Sequence, residues 1–374
     1  MVKPILNPKL LIVRLIVFIL FIAQASWAQQ SAKYSYSLGG EVFEGFILRH
    51  HEYLGHLIKG RPTGFEISFK QQTNGTKAWE ANYGYPEIAY NISYYDLKND
   101  AQLGKVIALS TGMGFHLLGK PPFKSDFQFY FGMGLAYSTN PYNKENNNLN
   151  NVISTPITYN GNVRLTYYQS FGKRMKVGAG LKFTHFSNGS FKLPNNGLNI
   201  VTANLMASYK LTSSISEFKT AKENYSLDKK VYYGAVFRIG FAEAPPVGSG
   251  VKPVYAFSLI AQKRVSLKSM LEVGVEGFAN QAIKLEIENS FDEASVGTDY
   301  KQLGMMVGHQ LVVNKLTVIT QVGFYVYKPY YPNDRVYQRV GFGYFFTDHL
   351  YGNLTLKTHF AVAEVIEYGI GYRL

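Results

Sequence analysis

The sequence predicts an all-β protein, an antiparallel β-barrel that crosses a membrane, and three observations carry this prediction. From about residue 33 to the end, apolar and polar residues alternate with a period of two, as they do in half-buried strands. The chain contains 29 tyrosines, 26 phenylalanines and 35 glycines, yet only 17% of its residues are charged. Beyond the N-terminal segment, no apolar stretch approaches the length of a transmembrane helix. A soluble β-sandwich has a similar alternation and is the alternative.

The N-terminal segment 1–28 is predicted to be a secretory signal peptide. Positive charges at Lys3, Lys9 and Arg14 precede a short apolar run, 15–23, and the small residues of a cleavage pattern follow. A single membrane anchor is the alternative, although the apolar run is short for a span. Cleavage would lower the formal net charge from +13 to +10. The chain has no cysteine, which excludes disulfides and thiolate metal sites.

The alternation predicts sixteen strands in two sets of eight. The first set lies near residues 33–49, 62–72, 84–96, 104–118, 126–139, 154–171, 175–188 and 198–211. The second set lies near residues 230–243, 253–266, 269–288, 300–313, 315–328, 335–347, 349–361 and 363–374. The polar segment 212–229 between them is predicted to be a linker or a short surface helix. It divides the mature chain into the units 29–211 and 230–374.

The faces of the strands and the lengths of the loops favour the barrel. On the eighth strand, Val201 and Leu205 share one face, while Thr202 and Asn204 share the other. In a membrane barrel the apolar face contacts lipid and the polar face lines the interior. Long connections after strands 1 and 5 contrast with short ones after strands 4 and 6, as expected for outer loops and inner turns. One barrel of fourteen to sixteen strands is slightly preferred over two eight-stranded units or a barrel with a separate β-domain.

Residues 184–190, T-H-F-S-N-G-S, are the chemical motif of the first unit. The apolar phase of strand 7, which includes Phe183, continues onto His185 and Ser187, so both side chains are predicted to face lipid near the outer end. Ionisable groups on that face are costly, which suggests that they have a function. The other reading is that Asn188-Gly189 is a hairpin turn and His185 an interfacial residue.

The stretch H-F-S-N-G, followed by P-N-N-G-L-N at 194–199, resembles the motif of lipid A 3-O-deacylases of the PagL type. The resemblance covers roughly 33–211 as an eight-stranded unit and is specific over 183–199. The whole chain resembles the long acyloxyacyl hydrolase-related proteins of Bacteroidetes-type bacteria. It implies an outer-membrane barrel of a Gram-negative bacterium that acts on lipopolysaccharide without a cofactor. The positive charge fits attraction to lipopolysaccharide phosphates, and no nucleic-acid motif is found.

Carried over to this sequence, the resemblance implies that Ser187 is the nucleophile and His185 its general base. A serine hydroxyl needs a base to remove its proton, and the tetrahedral oxyanion needs preorganised donors. Asn188 and the backbone N–H of Gly189 are the implied donors. The family's third member, a glutamate, falls by spacing at Asn199, whose amide can orient the imidazole but carries no charge. The alternative is a non-enzymatic barrel, a channel or structural protein, that keeps the motif as a relic.

The second unit repeats part of this pattern without a nucleophile. The segment L-K-T-H-F at 356–360 echoes the sequence before His185, and Ala361 replaces the serine. The phase of the strand turns His359 toward the interior, together with Glu367. This unit is therefore interpreted as a possible diverged duplication, and these two residues as part of a polar interior network rather than a second active site.

Three histidines of the first outer loop, His50, His51 and His56, invite a metal-binding reading. No acidic partners with ligand spacing accompany them. We therefore expect solvated loop histidines and no metal site.

Overall fold

The computed structural model describes residues 34–212, 217–220, 228, 230–292, 295–330, 332, 334–360 and 362–374. The predicted signal peptide and most of the predicted linker lie outside the described residues. Within the described residues, sixteen antiparallel strands form two closed barrels of eight strands each. An antiparallel all-β barrel fold, predicted from the alternation, is confirmed.

The first barrel follows the order of the chain, and β8 pairs with β1 to close it. Its strands are β1 (Ser35–Ile47), β2 (Thr63–Gln72), β3 (Glu87–Asp96), β4 (Lys105–His116), β5 (Ser125–Ser138), β6 (Ile157–Phe171), β7 (Met175–Ser187) and β8 (Leu198–Lys210). We call the end at which β1 and β7 finish the outer end. A 3-10 helix, Glu52–Leu57, lies in the first outer loop, and a short helix α1, Ala78–Asn82, lies in an inner loop.

The second barrel is closed in the same way by pairing of its last strand with its first. Its strands are β9 (Val231–Ala242), β10 (Lys252–Arg264), β11 (Ser269–Asn280), β12 (Lys301–Val313), β13 (Leu316–Tyr327), β14 (Val336–Phe345), β15 (Leu350–His359) and β16 (Val362–Arg373). Helix α2, Gln281–Glu288, follows β11 in an outer loop. None of the helices in the described part of the chain has the length and apolar character that a membrane crossing needs.

The preference for one large barrel is wrong, because each set of eight strands closes on itself. In the first barrel, Leu205 of β8 lies opposite Val42 of β1. In the second, Ile370 of β16 lies opposite Phe237 of β9. An eight-stranded barrel is just wide enough for side chains to fill its interior. Alternation within a strand marks its two faces and does not specify which distant strand it pairs with.

The interiors of both barrels are filled by paired charges. In the first barrel, Lys182 Nζ donates to Glu41 Oε1 at 2.6 Å and Arg164 donates to both Glu41 and Glu66. In the second, the fully buried Arg339 donates to Glu367 at 2.6 Å and to Glu276 at 2.8 Å. Pairing offsets the cost of removing these charges from water. Leu205, 65% exposed, and the buried Asn204 confirm the predicted division into an outward apolar face and an inward polar face.

The predicted strand 269–288 ends at Asn280, and the rest of it is helix α2. The side chain of Asn280 accepts hydrogen bonds from the backbone N–H groups of Ala282 and Ile283, at 2.9 and 3.2 Å. It thereby caps the N-terminus of the helix, which ends the strand. The other predicted strands agree with the structure to within a few residues at each end.

An apolar cluster at the outer end of the first barrel supports the strands that carry the motif. Leu54 and Leu57 contribute to it from the 3-10 helix of the first outer loop. Phe186, Leu198 and Ile200 contribute to it from β7 and β8. All five side chains are almost completely buried. Their burial fixes the ends of these two strands. It therefore also fixes the face on which the neighbouring residues of each strand lie.

Candidate active site

The end of β7 presents His185 and Ser187 on the outside of the first barrel. Phe186 between them points inward, is fully buried and packs edge-to-face against Tyr95 with ring centroids 5.3 Å apart. Because successive side chains of a strand point to opposite faces, this anchor directs its two neighbours outward. Both are half-buried at the outer end, as the alternation predicts.

His185 contacts the predicted third residue of the site. In the pairing of β7 with β8, His185 lies opposite Asn199, and His185 Nδ1 is 2.5 Å from Asn199 Oδ1. An amide oxygen only accepts hydrogen bonds, so this contact requires a proton on Nδ1, and in the neutral ring the lone pair is then on Nε2. The contact restricts the orientation of the ring. Gly197 packs against the same ring: a Cβ at this position would lie 2.7 Å from His185 Cε1.

The hydroxyl of Ser187 receives two N–H donors from the loop that follows it, residues 188–197, which we call the catalytic loop. The backbone N–H of Gly189 donates to Ser187 Oγ at 3.1 Å, and Asn195 Nδ2 donates at 2.9 Å. Gly189 has a φ of 64°, a left-handed conformation that glycine adopts readily. Both donors therefore lie close to the place where an oxyanion would form if Ser187 Oγ attacked a carbonyl group.

The catalytic loop uses Asn188 differently from the expectation. Its buried side chain donates to Ser154 Oγ and to the carbonyl of Lys192, both at 2.9 Å, so its amide hydrogens hold the loop instead of pointing toward Ser187. The backbone N–H of Asn188 donates to Asn195 Oδ1 at 3.0 Å. The side chain that contacts Ser187 Oγ is thus that of Asn195. Asn195 is part of the sequence motif P-N-N-G-L-N, but no role was predicted for it.

His185 and Ser187 make no direct hydrogen bond to each other in the part of the chain that the structure describes. They are two residues apart on one face, a separation of about 7 Å along a strand. Hydrogen bonds between a nucleophile and its base are often long without substrate and shorten in the reacting complex. The arrangement therefore places an imidazole, an amide that contacts it and two N–H donors near one serine hydroxyl.

The second barrel contacts the catalytic loop. Tyr159 of β6, which lies opposite Ser187 in the strand pairing, forms a hydroxyl–hydroxyl hydrogen bond with Tyr368 of β16. A Cβ on Gly189 would collide with Ile366 of the same strand. The serine therefore lies at the junction of the two barrels on the outward, apolar face.

The other candidate residues lie apart from this site. His359 is buried inside the second barrel, 3.3 Å from Glu364, which also receives Lys357 Nζ at 2.7 Å. His359 faces the interior as expected, but within the described residues neither of its ring nitrogens has a hydrogen-bond partner. Its nearest acidic group is Glu364 and not Glu367, which binds Arg339. Ala361 lies outside the described residues.

The loop histidines make backbone contacts. His50 Nε2 lies 3.1 Å from the carbonyl oxygen of Asn196, and His56 Nε2 lies 2.8 Å from that of Leu149. His51 stacks on Tyr53. Over the described ranges, no group of three or more His, Cys, Asp or Glu side chains is arranged to hold a metal ion.

Two protein-family models match the chain. Residues 63–208, from β2 to β8, match the model described as lipid A 3-O-deacylase (PagL). Residues 230–374, the whole second barrel, match the model described as acyloxyacyl hydrolase, C-terminal domain. No curated protein matches the sequence.

Solved structures with similar folds include outer-membrane barrels. The outer membrane enzyme PagL is 13% identical over 45% of this chain and 97% of that chain, with a TM-score of 0.29. Neisserial surface protein A is 9% identical over 49% of this chain and 98% of that chain, with a TM-score of 0.28.

Proposed function

We propose that this chain, which belongs to the family of PagL-type lipid A 3-O-deacylases and acyloxyacyl hydrolase-related outer-membrane proteins, is a serine esterase. Its substrate is lipid A of lipopolysaccharide, from which it removes an ester-linked acyl chain. The observation that carries the proposal is the environment of Ser187. Its hydroxyl receives two N–H donors and lies two residues from a histidine that an amide orients.

The reaction follows from the roles of these groups. His185 Nε2 takes the proton of Ser187 Oγ as this oxygen attacks the ester carbonyl, and Asn199 Oδ1 holds the ring through Nδ1. The developing oxyanion is bound by the N–H of Gly189 and the amide of Asn195. The ester C–O bond then breaks, and His185 gives the proton to the departing alkoxide oxygen, which becomes a hydroxyl group. Water, deprotonated by the same histidine, hydrolyses the acyl-enzyme and releases a free fatty acid.

The position of the site supports a lipid substrate. Ser187 lies on the outward face at the outer end of β7, below which Leu181, 62% exposed, continues the apolar surface. An acyl chain can lie along this surface while the ester reaches the serine. The predicted cleavage of residues 1–28 and passage to the outer membrane would bring this end of the barrel to the leaflet that contains lipid A.

The test is release of fatty acid from purified lipopolysaccharide, measured by mass spectrometry, which also identifies the acyl chain removed. Wild type and Ser187→Ala are compared with Ser125→Ala, a matched change of an exposed serine at the inner end of the same barrel. We expect equal release from wild type and Ser125→Ala and none from Ser187→Ala. Equal release from all three proteins would contradict the esterase proposal.

A non-enzymatic barrel is the second candidate, because Asn199 stands where the family resemblance implies a carboxylate. A channel would need a water-filled interior. Here Arg164, Lys182 and Arg339 are almost completely buried among acidic partners within the barrels. If wild type releases no fatty acid from lipopolysaccharide, the structural form of this second candidate is favoured.

A further inference from the structure

The outer loop after β9, residues 243–251, lies against the catalytic loop of the first barrel. The backbone N–H of Glu243 donates to the carbonyl of Ser190 at 3.0 Å. Ser190 Oγ in turn donates to the carbonyl of Ala363 at 2.6 Å. These contacts join two segments of the second barrel to the loop that follows Ser187.

Glu243 is an acidic residue at this junction, and its side chain bridges the two loops. Oε2 accepts the backbone N–H of Leu193 in the catalytic loop at 2.6 Å. Oε1 accepts the N–H groups of Gly248 and Gly250 in its own loop, at 2.9 and 3.1 Å. Glu243 is only 5% exposed. Hydrogen bonds to a carboxylate are about twice as strong as neutral ones, and a buried carboxylate is costly without them.

The segment that Glu243 holds leads directly to the groups around the nucleophile. Leu193 is two residues before Asn195, whose Nδ2 donates to Ser187 Oγ and whose Oδ1 accepts from Asn188. Further along, Gly197 packs on the ring of His185. A displacement at Leu193 would therefore move the donor at the serine.

We propose that Glu243 is a positioning residue of the active site, so that the second barrel completes a centre whose reacting groups all belong to the first. It acts through the backbone of Leu193, which holds Asn195 at the distance at which it contacts Ser187. The inference rests on the proposed esterase function for its catalytic part, while the holding of the loop is a structural statement that can be measured separately.

The experiment uses the full-length protein with Glu243→Gln, which keeps the shape of the side chain but removes its charge and one acceptor oxygen. The matched control is Glu272→Gln, the same change at a buried glutamate of the second barrel that binds Gln262, Gln310 and Gln321 instead of the catalytic loop. Hydrogen–deuterium exchange of peptides covering 188–197 reports the order of the catalytic loop. Exchange in the strands checks that both barrels are folded.

Reactivity of Ser187 is measured with an alkyl fluorophosphonate. The serine oxygen forms a bond to phosphorus, the P–F bond breaks, fluoride leaves, and His185 takes the proton. Removing one oxyanion donor commonly lowers turnover by about a hundredfold or more. Because Glu243→Gln displaces such a donor without deleting it, we expect labelling to be slower by about tenfold. We expect faster exchange in the catalytic loop and no change of either quantity in Glu272→Gln.

Slower labelling with unchanged loop exchange would overturn the proposed positioning role, as would faster exchange with unchanged labelling. An equal effect of Glu272→Gln would show that the response is not specific to Glu243 and would also overturn it. If wild type itself is not labelled, the esterase proposal fails. Loop exchange in Glu243→Gln then tests the structural part alone: faster exchange supports the holding of the catalytic loop by Glu243, and unchanged exchange contradicts it.

Discussion

Replacing Asn199 by aspartate tests how much catalysis the amide provides. Asn199 Oδ1 already lies 2.5 Å from His185 Nδ1, and aspartate has the same length, so the carboxylate can take this position without movement of the strands. A glutamate is longer by one methylene, so its carboxylate would not occupy the same position as the amide. Asn199→Asp is therefore the matched change that adds only a charge.

The expected gain follows from the charge that His185 acquires during the reaction. A neutral hydrogen bond contributes about 1 kcal/mol, and one to a charged group about 1.5–3 kcal/mol. The difference, about 0.5–2 kcal/mol in favour of the imidazolium, corresponds to a rate increase of about two- to thirtyfold. We expect Asn199→Ala to be slower than wild type, because the ring then loses its orienting contact.

The assay is the initial rate of fatty-acid release from lipopolysaccharide at saturating substrate. The heat-dependent mobility of the barrel in electrophoresis shows that each variant is folded. Adding Ser187→Ala to Asn199→Asp must abolish the release, since the gain acts through this serine. A folded Asn199→Asp protein that is no faster than wild type, together with a fully active Asn199→Ala protein, would refute the assignment of Asn199 as the orienting residue.

Three further changes test neighbouring contacts. Asn195→Ala removes one of two donors at Ser187, and we expect turnover to fall by about a hundred- to thousandfold; a fall of less than threefold in the same release assay would exclude Asn195 from the oxyanion site. Gly197→Ala places a Cβ 2.7 Å from His185 Cε1 at a φ of 72°, so we expect loss of activity in a folded barrel, and full activity would contradict the close packing. Phe186→Ala removes the inward anchor, and we expect urea unfolding to show a loss of about 3 kcal/mol or more; an unchanged midpoint would contradict its role.

Much of the site could be predicted because its residues lie on the two strands and the loop of one hairpin. Period-two alternation identified His185 and Ser187 as outward residues, and the length of the connection brought Asn199 opposite His185. The N–H groups that contact Ser187 Oγ could be predicted only in part. Gly189 follows Ser187 closely in the sequence, and it was predicted as a donor. Asn195 lies further along the chain and reaches Ser187 only because the catalytic loop folds back. Asn188 has the same side-chain chemistry and turns to Ser154 instead.

The sequence by itself determined the all-β class, the approximate ends of most strands and the face that their side chains occupy, because these properties depend on residues a few positions apart. The tertiary structure decided that β8 closes on β1 and β16 on β9, which gives two filled barrels instead of one. It also decided that Glu243 meets Leu193, fifty residues earlier in the chain. Such pairings depend on loop closure and packing between distant segments, and local alternation carries no information about them.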